Sequence, residues 1–136
     1  MALGPRDLDE LTAHSVDSLA DVITIHTAER IGADDDAATA CAVEATDRIL
    51  SRVRHWWLHI DLDVLSTEAL PAVDYPQSGG LSWSALEAVT AAALNAPGCL
   101  GITVCIYNPD LDPNRAHARR IVEFVGRMSD HWQPSA

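Results

Sequence analysis

The sequence predicts an α/β protein in which a parallel sheet lies between layers of helices. Segments rich in apolar and β-branched residues alternate along the chain with segments that have the spacing of amphipathic helices. The strand-like segments are also nearly continuous in apolar residues, which is typical of parallel strands covered on both faces. Because ligands bind beyond the carboxyl ends of such strands, we expect the functional residues at those ends.

The first part of the chain is expected to form a strand followed by a helix. Residues 21–27 (DVITIHT) are rich in β-branched side chains and are predicted to be a strand. Three aspartates at residues 34–36 come next, and negative charge of this kind favours a helix N-terminus. The helix is predicted over residues 37–53, with one apolar stripe formed by Ala38, Ala42, Ala45, Ile49 and Val53.

The second part of the chain contains the two most strand-like segments, residues 55–65 (HWWLHIDLDVL) and residues 100–107 (LGITVCIY). Between them the sequence predicts a loop over residues 71–80 and a helix that begins near Ser84, since Ser84 and Glu87 have the spacing of a capping box. The buried stripe of that helix is expected to comprise Leu86, Val89, Ala93 and Leu94.

The last helix is expected to open at Asp112, the predicted N-cap, with Pro113 at its first helical position. Its inner face is predicted to comprise Ala118, Ile121, Val122, Val125 and Met128. Residues 131–136 are expected to form a flexible tail.

The composition restricts the kinds of partner. The 136 residues include 20 acidic and 9 basic residues, giving a net charge of −11. This charge repels phosphate backbones and anionic lipids, so nucleic acid and membrane surfaces are poor candidate partners. All basic residues are arginine, and without lysine neither Schiff-base nor P-loop chemistry is available. The apolar runs are too short to span a membrane and the first residues do not resemble a secretory signal, so a cytoplasmic location is expected.

Asp61 and Asp63 are the candidate metal ligands. Residues two apart on a strand project from the same face, so we expect the two carboxylates to converge. Two close carboxylates raise each other's pKa unless a cation stabilises both, and oxygen ligands favour Mg, Ca or Mn. Three other Asp-x-Asp pairs occur in the chain, but only this pair ends a long buried strand. From this pattern alone, a metal site and an unoccupied carboxylate pair remain alternatives.

Other groups have less specific patterns. His59 lies two residues before Asp61, on the same side of the predicted strand; it is interpreted as a ligand or supporting group or, more ordinarily, as a packed core histidine. Cys41, Cys99 and Cys105 are odd in number and lie in apolar stretches, so we expect buried free thiols rather than a disulfide or a metal site. The Gly79-Gly80 pair suits either a functional loop or an ordinary turn.

Taken in order, these segments resemble the arginase/agmatinase/formiminoglutamase family, the ureohydrolases. The matching pieces are residues 3–7 (LGPRD), residues 59–65 (HIDLDVL), the loop from Pro71 to Gly79-Gly80-Leu81, and residues 107–113 (YNPDLDP). The resemblance covers most of the chain. It implies a three-layer α/β/α fold, incomplete in this chain, and two manganese ions that activate a water for attack on a linear C–N bond of a small guanidino or amidino substrate.

The resemblance also implies roles for particular residues. Asp61 and Asp63 match the family's second pair of metal-binding carboxylates. Many members have a substrate-binding glutamate where this chain has Ile106, so hydrolysis of plain arginine is not expected. Asp74 or Glu87 could supply a substitute carboxylate, and His59 is a further candidate contact to the substrate. Ser66-Thr67 replaces the usual Asp-Pro that follows the aspartate pair.

The resemblance identifies residues 1–136 as the C-terminal half of such a domain. The family's remaining metal ligands, and a strand that lies between strands of this chain, would belong to the other half. We therefore expect the chain alone to be inactive and to bind divalent metal, including manganese, weakly or not at all. The expected partner is that other half, a second copy of the chain, or both, because unpaired strand edges need a covering.

Two further interpretations remain open at this point. One is a truncated, non-catalytic binding or assembly module of the same fold. The other is a phosphotransferase similar to the haloacid dehalogenases, whose nucleophile motif Asp61-Leu62-Asp63-Val64 resembles. Those enzymes normally require a downstream lysine, which this chain lacks.

Overall fold

The computed structural model describes residues 1–5, 13, 23–32 and 34–132. Within these residues the helices and strands, in chain order, are β1 (Ala2–Leu3), β2 (Ile25–His26), α1 (Ala28–Ile31), α2 (Asp35–Leu50), β3 (Trp56–Asp61), α3 (Trp83–Leu94), β4 (Cys99–Cys105) and α4 (Ala116–His131). Short 3-10 turns, Leu62–Val64 and Pro109–Leu111, follow β3 and β4. The predicted strand over residues 21–27 is reduced to β2, and residues 21 and 22 lie outside the described part.

All strand pairing in the described residues is parallel, as predicted. β1 pairs with β2, and β3 pairs with β4 in a register that places Trp57 opposite Gly101 and Asp61 opposite Cys105. Within the described residues these are two separate pairs rather than one continuous sheet. A cavity of about 430 Å³ is lined by β1 on one side, by β3 on another and by the facing sides of α2 and α3.

Helix α2 begins where the aspartates place it. The Asp34 carboxylate accepts a hydrogen bond from Ala37 N at 2.7 Å, and Asp35 and Asp36 occupy the first turn, where the helix dipole favours negative charge. The helix ends at Leu50, three residues earlier than predicted, so Val53 lies beyond it and is exposed. The buried side chains of α2 are small, which lets it pack closely against α3: Ala38, Cys41, Ala42, Ala45 and Thr46.

Helix α3 has a different cap from the one predicted. Ser82, not Ser84, is the N-cap, and its hydroxyl accepts from Ala85 N at 3.1 Å. Glu87 therefore does not close a capping box; it pairs with Arg120 and Arg127 of α4, each at 2.8 Å. The spacing of Ser84 and Glu87 matches a capping box only by chance, because Ser82 is the residue that caps the helix. The predicted buried stripe is confirmed, with Leu86, Val89, Ala93 and Leu94 all buried.

Helix α4 begins at Ala116, later than predicted, because residues 113 and 114 form a turn and Arg115, with a φ of 54°, precedes the helix as its N-cap. Asp112 is buried and still holds the start of the helix, accepting hydrogen bonds from Ala116 N and Ala118 N. The predicted inner face is only partly right: Met128 is buried, but Val122 and Val125 are exposed.

Phe124, which the predicted face omitted, is fully buried. Its ring packs edge-on against the ring of Trp83, with 5.6 Å between the ring centroids. Helix α4 lies on the core along one narrow stripe, so a small rotation decides which apolar side chains are covered. Of the predicted flexible tail, His131 ends α4, and the Trp132 indole donates to Cys99 O at 3.0 Å; residues 133–136 lie outside the described part.

Candidate functional site

The candidate site lies at the carboxyl ends of the adjacent strands β3 and β4. Asp61 is the last residue of β3, which ends four residues earlier than the predicted strand. Asp63 lies beyond the strand, in the 3-10 turn that follows it, and its backbone N–H donates to the Asp61 carboxylate at 3.3 Å. The strand-based reason for convergence of the two carboxylates was therefore wrong for Asp63. Both residues nevertheless line the same cavity.

A third and a fourth side chain meet this strand end. His59 and Asp61 share one face of β3, and Cys105 lies directly opposite Asp61 on β4. The possible ligand atoms of these three residues all lie within 4.8 Å of one another, with Cys105 Sγ 3.6 Å from His59 Nε2. His59 is exposed, so the interpretation as a core histidine was wrong.

Cys105 was not anticipated as part of a site. Cys41 and Cys99 are buried free thiols, as expected, but Cys105 is only partly buried. Burial raises the pKa of the Cys105 thiol, and the nearby charges of Asp61 and Asp63 raise that pKa further. Both carboxylates thus act on the same point at the end of β4, so the local field favours a cation there. The signal missing from the sequence was the register between the two strands.

Two loops are joined beside the end of β4. Asn108 N donates to Ala72 O at 2.9 Å, and the Asn108 side-chain amide donates to the Asp74 carboxylate. Asp74 is therefore close to the Asn-Pro segment, but one of its oxygens already accepts a hydrogen bond. The contact links the loop after β3 to the turn after β4.

Ile106 adopts an uncommon backbone conformation at this junction. Its φ is 59°, in the left-handed region that β-branched residues rarely enter, and its side chain is 40% exposed. The chain thus turns sharply between β4 and Asn108, and the Ile106 side chain remains accessible to a small molecule.

The Gly79-Gly80 pair allows a close approach to the Asp63 turn. Gly80 has a φ of 101°, and a Cβ on it would lie 2.8 Å from backbone atoms of Leu65 and Ser66. The next residue, Leu81, hydrogen-bonds through its N–H to Val64 O at 2.8 Å. The glycines therefore bring the loop against the segment that presents Asp63, which explains the pair structurally.

Asp112, which is buried, and Tyr107, which is partly buried, are hydrogen-bonded to each other and do not line the cavity. Burial tends to raise the pKa of Asp112, but hydrogen bonds from Ala118 N, the Tyr107 hydroxyl and other backbone N–H groups outweigh it, so that pKa is lowered. Burial and the bond to Asp112 raise the pKa of Tyr107. The hydrogen bonds to the Asp112 carboxylate hold the start of α4 in place.

The residues present fit part of a metal site. Asp61 and Asp63 offer oxygen ligands in the lining of the cavity, a donor type that Mn²⁺ accepts. Two carboxylates are too few for a pair of ions, since transition-metal sites use about four to six ligands each.

Among the residues that the structure describes, no helix is long and apolar enough to cross a membrane.

Comparisons with known proteins agree with this architecture. The chain is 31% identical over 99 residues to a formimidoylglutamase of Aeromonas hydrophila subsp. hydrophila, a match that covers 69% of this chain and 31% of that protein. A formimidoylglutamase of Aeromonas salmonicida is 31% identical over 84 residues, covering 61% of this chain and 26% of that protein. The match thus spans 26–31% of the length of these curated relatives.

Solved structures show the same fold. Bacillus caldovelox arginase superposes with a TM-score of 0.77 at 25% identity, over 93% of this chain and 41% of that one. Formimidoylglutamase from Bacillus subtilis subsp. subtilis superposes with a TM-score of 0.72 at 17% identity, over 93% of this chain and 39% of that one. The family model described as Arginase family matches residues 1–129. This chain belongs to the arginase family.

Proposed function

We propose that this chain supplies part of the catalytic domain of a manganese-dependent hydrolase that cleaves a linear C–N bond in a small amidino or guanidino substrate. The observation that carries the proposal is the position of Asp61 at the carboxyl end of a parallel strand and of Asp63 in the turn that follows, both lining one cavity, in a chain of the arginase family. The nucleophile motif of haloacid-dehalogenase-like enzymes is set aside by this membership.

In this proposal Asp61 and Asp63 hold manganese together with ligands from the rest of the protein. The metal pair, when bound, supplies a water of lowered pKa. The hydrogen bond from Asp63 N keeps the Asp61 carboxylate turned toward its neighbour. The loop that contains Gly79 and Gly80 packs against the end of the turn that contains Asp63, and this contact limits the movement of the turn.

The proposed substrate has a formimino group or another amidine that is less basic than arginine. A guanidinium remains charged at all physiological pH values, and a buried cation needs an acceptor. Ile106 offers none. Asp74 already accepts from Asn108, and Glu87 is neutralised by Arg120 and Arg127. The two Aeromonas relatives carry the name formimidoylglutamase, which agrees with this substrate class.

The proposed partner is the remainder of an arginase-like domain, with homo-oligomer formation as the alternative. The cavity between β1 and β3 is the place where additional secondary structure would cover both strands.

An exchange at Ile106 tests the substrate. In the manganese-loaded protein that contains this chain, we expect formiminoglutamate to be hydrolysed and arginine turnover to stay far below the roughly 1–1000 per second typical of enzymes. Ile106→Glu should raise arginine hydrolysis, whereas Ile106→Gln, which adds a similar length without charge, should not. Rapid arginine hydrolysis by the unaltered protein would contradict the proposal.

A second candidate, a non-catalytic module, is favoured by the partial ligand set of Asp61 and Asp63 in a chain that spans about a third of its relatives. Manganese analysis of the complete protein separates the two. Two ions per subunit, reduced in both Asp61→Asn and Asp63→Asn, would support the hydrolase. No manganese would support the module.

A further inference from the structure

The end of β3 and β4 carries a ligand set that manganese chemistry does not use well. Beside the carboxylate of Asp61 lie an imidazole and a thiol, from His59 and Cys105. Thiolate and imidazole ligands suit softer ions such as Zn²⁺, whereas carboxylates and water suit Mn²⁺. The three donors thus differ in kind from the oxygen pair of Asp61 and Asp63.

Strand register places these three groups together. His59 and Asp61 are two apart on β3 and share a face, and Cys105 is the registered partner of Asp61 on β4. Trp57 stabilises that register one step back along the same face: its indole N–H donates to Thr103 Oγ1 at 2.7 Å, and its ring lies against Gly101. The ligand atoms therefore come from paired, hydrogen-bonded strands rather than from independent loops.

The distances suit a tetrahedral ion. With Zn–S near 2.3 Å and Zn–N near 2.0–2.1 Å, a tetrahedral site separates sulfur from nitrogen by about 3.6 Å. The separation of Cys105 Sγ from His59 Nε2 is 3.6 Å. The remaining ligand pairs lie within 4.8 Å and need to close by about 1 Å, which rotation of the exposed His59 ring and the Asp61 carboxylate can provide.

We propose that His59, Asp61 and Cys105 form a site for one divalent ion of the zinc type, held by this chain alone and open at its fourth position. Binding releases the Cys105 thiol proton to water and forms an ion–sulfur bond, with no change in oxidation state. His59 and Asp61 also line the cavity, and we expect water to fill the fourth position. The expectation of little metal binding by the lone chain counted only Asp61 and Asp63; it is retained for manganese and revised for zinc-type ions.

The site does not depend on the proposed hydrolase. Asp61 belongs to both ligand sets, but His59 and Cys105 belong only to the zinc-type site and Asp63 only to the manganese pair. Loss of one site can therefore be told from loss of the other.

Titration of the full chain with Co²⁺, a spectroscopic substitute for Zn²⁺, tests the proposal. We expect one ion per chain and a sulfur-to-cobalt charge-transfer band in the near ultraviolet, which excess Zn²⁺ removes and Mn²⁺ does not. Cys105→Ser should abolish the band. His59→Ala and Asp61→Asn should each lower the Co²⁺ affinity by at least about tenfold, as loss of a ligand-supporting group already does.

Two control variants match these changes. Asp63→Asn alters the neighbouring carboxylate outside the cluster, and His55→Ala removes an exposed histidine before β3. Both should keep the band; His55→Ala should also keep the affinity, and Asp63→Asn, which removes a nearby charge but no ligand, should lower the affinity less than loss of a ligand does. A band that persists in Cys105→Ser, or no band in the unaltered chain, would overturn the proposal.

Thiol protection provides a measurement that needs no variant. Iodoacetamide labelling, followed by peptide mass analysis, should modify Cys105 faster than the buried Cys41 and Cys99. Zn²⁺ should slow labelling of Cys105 at least about tenfold, since the metal-bound thiolate is withdrawn from attack. An unchanged rate at Zn²⁺ in excess over the chain would refute the site even if Cys105→Ser failed to fold.

Discussion

At the scale of single residues, two positions that follow β4 are unusual. Ile106 combines a β-branched side chain with a left-handed backbone, and Asp112 is a buried carboxylate that holds the start of α4. Left-handed backbone costs an L-residue roughly 1–2 kcal/mol. Such strain persists only where surrounding structure over-determines the conformation, here the hydrogen bonds of Asn108 to Ala72 and Asp74.

Replacement of Ile106 should expose this strain. We expect Ile106→Gly to be more stable than Ile106→Ala by about 1 kcal/mol in urea unfolding, because both remove the half-exposed side chain and only glycine removes the clash of Cβ. An alanine variant equal to or more stable than the glycine variant would show that the left-handed conformation is absent in solution.

Asp112 should make the fold sensitive to acid. Its pKa in the folded chain is lowered from the ordinary 3.8. A carboxyl with a depressed folded pKa contributes stability that is present above its unfolded pKa and is lost as the pH falls through the folded value. We therefore expect the urea concentration at the unfolding midpoint to decrease when the pH falls below about 4. Asp112→Asn should lower this midpoint at neutral pH and make its further decrease in acid smaller. The same acid slope in both proteins would disprove the role of this carboxyl.

At the scale of elements, caps and packed faces decide where helices begin and which side they bury. Ser82 caps α3 through Ala85 N, while Ser84 touches the Ser82 hydroxyl at 2.9 Å. Glu87 does not cap α3; it forms ion pairs with Arg120 and Arg127 of α4. The guanidinium of Arg120 also lies over the Trp83 ring at 5.2 Å. These contacts hold α4 against α3, with Phe124 and Met128 as the buried side chains of α4.

The two serines provide a matched test of the cap. Ser82→Ala should lower the unfolding free energy by about 1 kcal/mol, because it leaves the first backbone N–H groups of α3 without their acceptor. Ser84→Ala should change it by less than about 0.5 kcal/mol, as surface substitutions usually do. The reverse order, measured by chemical unfolding, would restore Ser84 as the cap.

At the scale of the whole molecule, the two strand pairs and the cavity between them indicate an architecture that needs a further covering. Strand edges carry unpaired N–H and C=O groups, and a cavity lined by apolar side chains favours association. The solved relatives extend over more than twice the length of this chain, which covers about two fifths of them.

We therefore expect the chain on its own to self-associate at micromolar concentration. Sedimentation velocity should show dimers or larger species, and addition of the rest of an arginase-like domain should replace them with a single complex. A cooperatively folding monomer over the same concentrations would contradict the expectation and would mean that the cavity is tolerated without a covering.

The sequence by itself determined the alternation of strands and helices, the parallel sheet and the position of Asp61 at a strand end, because these follow from periodicity within short segments. Only the tertiary structure decided which distant segments meet. Cys105 lies beside His59 because β3 and β4 pair in one register across 46 positions of the chain, and no local pattern encodes that register. The cap at Ser82 and the burial of Phe124 were likewise settled by packing, which selects among local alternatives of nearly equal free energy.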